Sequence, residues 1–281
     1  MNSVRWVDLG VPTVLRFSGP DSVRFLNGQI TQDVRRVIGK EIALPSCVTD
    51  AKGRLQFRVM VTEDDAGALW VEGPVGRADD LMARLTRYLI ADDVEVIDLS
   101  GAYRLCHFMG ISMKVPTGVL VRQSNRFGVD GADWWIPCEQ VVDFTEVARC
   151  YDGDEFEVLR IQHGIPRWGC ELVEGMLPPE ALLESTDISY QKGCYIGQEV
   201  ISRIKSAGKV NKRLTRFVFH AGVPVVTGPL ENALGGEAGQ ITSVAPMPTG
   251  EVLHALGYLK RGAEEVFFRG ADGVIYPAKI T

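Results

Sequence analysis

The chain has 281 residues, 46% of them hydrophobic and 23% charged, and a formal net charge of −6. So much apolar sequence buries more than one small core, which predicts two or three compact units. The acidic balance argues against a protein built to coat nucleic acid, and no direct nucleic-acid binding is predicted.

In chain order, "PTVLRF" (12–17) reads as a strand, and "SGPDSVRFLNG" as a helix with Pro20 near its start and Gly28 near its end. "RLQFRVMV" (54–61) and "ALWVEG" (68–73) predict further strands. In Arg77 to Ile90, Leu81, Leu85, Tyr88 and Leu89 fall at helical spacing. "VEVIDLS" (94–100) and "YRLCHFMG" (103–110) again predict strands. Without a regular βα alternation or a Gly-rich dinucleotide fingerprint, this mixture predicts an α+β fold. From about Val210 onward, short β-rich pieces ("RLTRFVFH", "AGQITSVAPM", "LHALGYLKR", "VIYPAKI") alternate with Gly and Pro turns, which predicts a small all-β barrel or sandwich.

Six cysteines (47, 106, 138, 150, 170 and 194) and four histidines (107, 163, 220 and 254) are scattered, with no CxxC pair and no zinc spacing. No metal site built on one short motif is expected. No apolar run reaches membrane-spanning length, and the opening segment lacks the pattern of a secretory signal. A cytoplasmic location without membrane attachment is therefore the expectation.

The octet Lys192 to Glu199, "KGCYIGQE", stands out. Ile196, Val200, Ile201, Ile204 and Ala207 mark one face of a short helix that ends at Gly208, and Glu199 with Arg203 forms an i,i+4 pair. This places Cys194 just before the helix start, where free N–H groups and the dipole favour a thiolate, with Lys192 nearby adding positive charge. Gly193 and Gly197 allow tight turns and close approach by a ligand. A buried cysteine in a turn is the alternative. Six basic residues follow without an acidic one (Arg203, Lys205, Lys209, Lys212, Arg213, Arg216), either an anion-attracting stripe or an ordinary solvated face. Trp134 and Trp135 read as core or pocket lining, and His163 has no carboxylate partner fixed by sequence.

The octet resembles the signature of the YgfZ-type folate-binding proteins, relatives of the glycine-cleavage T protein, an aminomethyltransferase. "VLRFSGPDSVRFLNGQITQDV", "TDAKGRLQFRVMV", "LRIQHGIPRWGCELVEGMLPPEA", "GQITSVAPMP" and "LGYLKR" resemble other segments of the same family in order. The resemblance implies a three-lobed, cloverleaf-like fold with a ferredoxin-like inserted lobe and a C-terminal β-barrel. The expected domains are a discontinuous core (1–46 and 99–208), an inserted α+β domain (47–98) and a barrel (209–281). It further implies bound tetrahydrofolate and a role in assembling or repairing iron–sulfur clusters in client enzymes, including some that modify tRNA, with reduced folate and iron–sulfur proteins as transient partners. Carried onto this chain, the functional residues are Cys194 and Lys192, with Tyr195, Gly197, Gln198, Glu199, Arg203, Arg126 and Asp130 expected to hold the cofactor.

Two departures narrow this reading. Where T proteins carry an acidic pair that includes the catalytic aspartate, this chain has Gln56 and Phe57. Neither titrates in a range useful for proton transfer, so the usual aminomethyl chemistry is disfavoured. Where T proteins place a pteridine-binding glutamate, the chain has Val129, with Asp130 or Asp133 as substitutes. A tetrahydrofolate-dependent one-carbon transferase and a non-catalytic interaction scaffold remain the alternative readings.

Overall fold

The computed structural model describes residues 4–110, 115–144 and 148–281. The chain divides into two compact units, residues 1–151 with 184–202 and residues 152–183 with 203–281.

The first unit holds two five-stranded sheets. One is antiparallel and built from β2 (Thr13–Ser18), β3 (Ala43–Thr49), β4 (Leu55–Glu63), β5 (Leu69–Gly73) and β6 (Glu95–Asp98), in the order β3-β4-β5-β2-β6. In β4, Leu55, Phe57, Val59 and Val61 alternate with Gln56 and Arg58, so one face is apolar. That face packs against α1 (Ser22–Gln29) and α2 (Ala78–Thr86) in a core containing Leu15, Phe25, Leu26, Val71, Leu81 and Leu85.

The second sheet contains β1 (Val4–Asp8), β7 (Tyr103–Met109), β8 (Leu120–Ser124), β9 (Gly131–Pro137) and β10 (Ala148–Cys150), in the order β10-β1-β7-β9-β8. The two sheets meet through Val14 and Trp70 on one side and Leu105, Leu120 and Trp135 on the other. Strand alternation sends Trp134 to the opposite face, where it packs with Cys106, Phe108, Ile136 and Phe144. Both tryptophans are therefore core residues.

In the second unit, β11 (Lys212–His220), β12 (Gly228–Glu231), β13 (Glu237–Val244), β14 (Val252–Lys260), β15 (Val266–Arg269) and β16 (Ile275–Ile280) form a closed barrel in the order β11-β14-β13-β12-β15-β16, as expected. Phe217, Phe219, Leu230, Ile241 and Phe268 fill its interior. The unit also contains α3 (Gly153–Gln162), which begins with a capping box between Asp152 and Glu155. Arg160 of α3 is buried and donates to Glu171 at 3.0 Å and to Ser243 of β13 at 2.9 Å. The Tyr258 hydroxyl of β14 donates to the Glu171 carbonyl at 2.7 Å.

The two compact units group the chain differently from the expected domains. Residues 152–183 cluster with the barrel rather than with a core running from 99 to 208, because Arg160 and Glu171 satisfy their buried charges there. The limit expected at residue 47 falls inside β3, whose ladder to β4 runs from Ala43 to Thr49, and β2 belongs to the same sheet.

Candidate functional site

The helix expected around the octet is α4 (Gln198–Ala207). Gly197 directly precedes it with φ +88, and the amide of Ile201 donates to the Gly197 carbonyl at 3.3 Å. Cys194 thus lies four residues before the first helical residue. A helix dipole acts within its first turn, so the expectation of a thiol seated on the helix end is not met. What the fold does instead is expose the thiol. Gly193 and Cys194 are both exposed, and a Cβ on Gly193 would meet nothing within 4 Å.

On either side of that exposed pair the chain is tied down. Lys192 is buried and its ammonium donates to three backbone carbonyls, those of Asn27 (2.5 Å), Ile30 (2.8 Å) and Gln32 (2.7 Å). The Ile196 amide donates to the Gly28 carbonyl at 3.2 Å, and the Thr49 hydroxyl donates to the Ile196 carbonyl at 2.6 Å. Asn27 and Gly28 lie in the last turn of α1, whose carbonyls have no partner within the helix. The octet therefore caps α1. Burial pushes the Lys192 ammonium down to about 7, with Asp33 pulling the other way. All three of its N–H groups are engaged by backbone carbonyls.

A Cβ on Gly197 would lie 2.5 Å from the Asp50 carbonyl oxygen and 2.9 Å from Gly53 Cα. The close approach that glycine permits is used by the chain's own Asp50–Gly53 turn.

Tyr195 is buried beside Ile188 and Ile201, with the Lys192 ammonium 5.3 Å from its ring centroid. Its hydroxyl is buried without a hydrogen-bond partner among the described residues, and burial pushes the phenol pKa up. Near it in sequence, Asp187 is fully buried and accepts from Arg58 at 2.7 and 3.3 Å, while Thr31 donates to the Asp187 carbonyl at 2.6 Å. Sequence reasoning did not single out Thr31, Arg58 or Asp187. Arg58 interrupts the apolar run of β4, whereas Thr31 and Asp187 sit among other polar residues and carry no such signal.

Arg126 makes two bonds to Glu72 (3.1 and 2.7 Å) and two to Asp133 (2.9 and 2.7 Å), and His107 Nδ1 lies 2.7 Å from Asp133. Burial works against the Arg126 guanidinium, but Asp133 and Glu72 outweigh it and raise its pKa. Burial likewise opposes Asp133 ionisation, yet Arg126 and His107 bring it down to about 2. Arg126 is thus engaged within the protein, while Asp130 is exposed and Asp133 is locked in this network. His107 and Glu72 were also missed by sequence reasoning.

The remaining expected contacts, Gln198, Glu199 and Arg203, all lie on α4. Gln198 is half-buried and Glu199 exposed in the first unit, and Arg203 is exposed at the start of the second unit's 203–281 segment. As a set, these residues do not fit tetrahydrofolate held in the aminomethyltransferase manner. Gly197 is closed off by backbone, Arg126 is paired internally, and Val129 supplies no carboxylate. At the lost acid positions, Gln56 accepts from Arg84 at 2.5 Å and Phe57 is buried, with the Arg77 guanidinium 5.2 Å from its ring centroid.

In the basic run, Arg216 donates to the Gln162 carbonyl at 2.9 Å and Lys212 lies 4.6 Å from the Tyr258 ring centroid, so part of the stripe serves packing in the second unit. His163 is exposed at the end of α3. No described helix is long and apolar enough to cross a membrane.

No family model matches the chain. Its structure superposes on the glycine cleavage system aminomethyltransferase T from Bartonella henselae with a TM-score of 0.80 at 15% identity, covering 99% of this chain and 85% of that one. The fold is that of the aminomethyltransferases. In sequence the chain is 27% identical over 228 residues to the iron-sulfur cluster assembly factor IBA57 homolog, mitochondrial, of Phaeosphaeria nodorum, covering 75% of this chain and 54% of that protein. It is 25% identical over 241 residues to the tRNA-modifying protein YgfZ of Cronobacter sakazakii, covering 78% and 72%. In sequence this chain is similar to proteins named IBA57 and YgfZ. A second fungal IBA57 homolog, from Mycosarcoma maydis, is 24% identical over 230 residues and is covered to 56%. The chain thus spans little more than half the length of these fungal relatives.

Proposed function

We propose that this chain is an accessory factor for assembling or repairing iron–sulfur clusters in client enzymes, acting through Cys194. The observation that carries the reading is the exposed thiol of Cys194 beside Gly193, between the buried anchor Lys192 and the hydrogen-bonded backbone of Ile196. The relatives named for iron–sulfur cluster assembly and for tRNA modification support the same class of role.

The cluster is the cargo. Protein-bound clusters take four ligands, mostly thiolates, so one thiolate does not hold a cluster alone. Cys194 would contact a cluster or a sulfur species that a client or assembly protein also holds, and release it afterwards. An exposed thiol suits such shared contact, because the partner reaches it without unfolding the loop.

No step of this role runs through tetrahydrofolate. Aminomethyl transfer is disfavoured at the same time, since Gln56 is an amide bonded to Arg84 and Phe57 carries no proton to transfer. The deciding experiment is complementation of a strain lacking this gene with Cys194→Ala, followed by assay of iron–sulfur enzymes. Activities should stay near the level of the deletion; full restoration would end the proposed role of the thiol.

A further inference from the structure

We propose that Lys192 is a positioning residue for Cys194, fixing the exposed thiol in space by capping α1 through three convergent hydrogen bonds. The inference rests on the reading of Cys194 as the working thiol and assigns the residue that holds it.

The geometry leaves Lys192 little else to do. An ammonium has three donors, and three carbonyl oxygens, from Asn27, Ile30 and Gln32, lie at 2.5 to 2.8 Å from it. None of the three acceptors is a side chain, so the contact reads the path of the backbone at the end of α1. A cation is also the charge that a helix C-terminus favours. The tyrosine ring of Tyr195 lies against the same ammonium, with 5.3 Å between Nζ and the centroid, and closes it off from that direction. Two residues later along the chain, Cys194 is exposed, and two residues beyond that the Ile196 amide returns to the Gly28 carbonyl of the same helix. The stretch from 192 to 196 is therefore a short arch standing on the last turn of α1, with the thiol near its crest. An arch with one foot removed no longer specifies where its crest lies.

Arginine is not an equivalent foot. Its planar fork suits bidentate acceptors, whereas the three carbonyls here converge on a single nitrogen.

The test uses a nitroxide spin label on Cys194 in the full chain, with Cys138, Cys150 and Cys170 replaced by serine so that the other exposed or half-buried thiols do not react. In the parent the label should give the broadened spectrum of an ordered site. Lys192→Met should narrow it, with at least a threefold drop in rotational correlation time. Val71→Ala, a cavity in the sheet core, serves as the control for general loss of stability. It should lower the melting temperature and leave the spectrum broad. An unchanged spectrum in Lys192→Met, or equal narrowing in Val71→Ala, overturns the proposal. Should Lys192→Met not fold, Lys192→Arg carries the same test, with narrowing expected and an unchanged spectrum again overturning it. Spectra do not depend on clients, so a failure of the proposed cluster role leaves this result readable by itself.

Discussion

Gly53 and Gly197 stand against each other, with Gly53 Cα 2.9 Å from the place a Cβ on Gly197 would occupy. Both have positive φ, +69 and +88. The turn after β3 and the residue before α4 thus share a contact that leaves no room for a Cβ on Gly197 and crowds one on Gly53.

Gly197→Ala should therefore destabilise the protein by about 3 kcal/mol or more, combining left-handed strain with overpacking against backbone. Gly193→Ala, where open space surrounds the position, should change stability by about 1 kcal/mol or less. Urea unfolding of the two variants checks the contrast.

Cys194→Ser replaces an exposed side chain and should leave unfolding within about 0.5 kcal/mol of the parent. If its midpoint in urea drops by much more, the thiol is a packing group and not a presented one.

Asp133 links acid stability to the Arg126 network. Its folded pKa is about 2 against an ordinary 3.8, so its stabilisation is complete above 3.8 and is lost as pH falls through 2. The contribution is on the order of 2 kcal/mol. The stability gap between the parent and Asp133→Asn should accordingly shrink between pH 4 and pH 2 in denaturant titrations.

Restoring an acid at position 56 should not restore aminomethyl transfer. In Gln56→Glu the new carboxylate would meet the Arg84 guanidinium, which favours its ionised form and strengthens the bond by about 1 kcal/mol. The measurable outcome is a higher urea midpoint together with no formation of methylene-tetrahydrofolate from aminomethyl donors.

Much of the scaffold was legible because its signals are local. Alternation in "RLQFRVMV" gave β4, and Gly and Pro turns gave the barrel strands. β3 was missed because Pro45 and Ser46 interrupt its apolar pattern, although Pro45 sits opposite Met60 in the ladder. The predicted helix after Arg77 runs on to Ile90, whereas α2 stops at Thr86. At the site, Cys194 is exposed, but the contacts of its neighbours were not readable. Lys192 is recognisable as a cap only when Asn27 in the last turn of α1, 165 residues earlier, is brought beneath it. Arg126 resembles a ligand-binding arginine in sequence because Glu72, its partner 54 residues away, carries no mark of the pairing.

The arch over α1 has a kinetic consequence. A thiol already held at its crest loses little freedom when a partner arrives, so productive encounters do not wait for a loop to order. Association is then governed by diffusion and by charge, and a chain with a net charge of −6 meets basic partners faster and acidic ones more slowly at low ionic strength. Raising the salt should bring the two rates together.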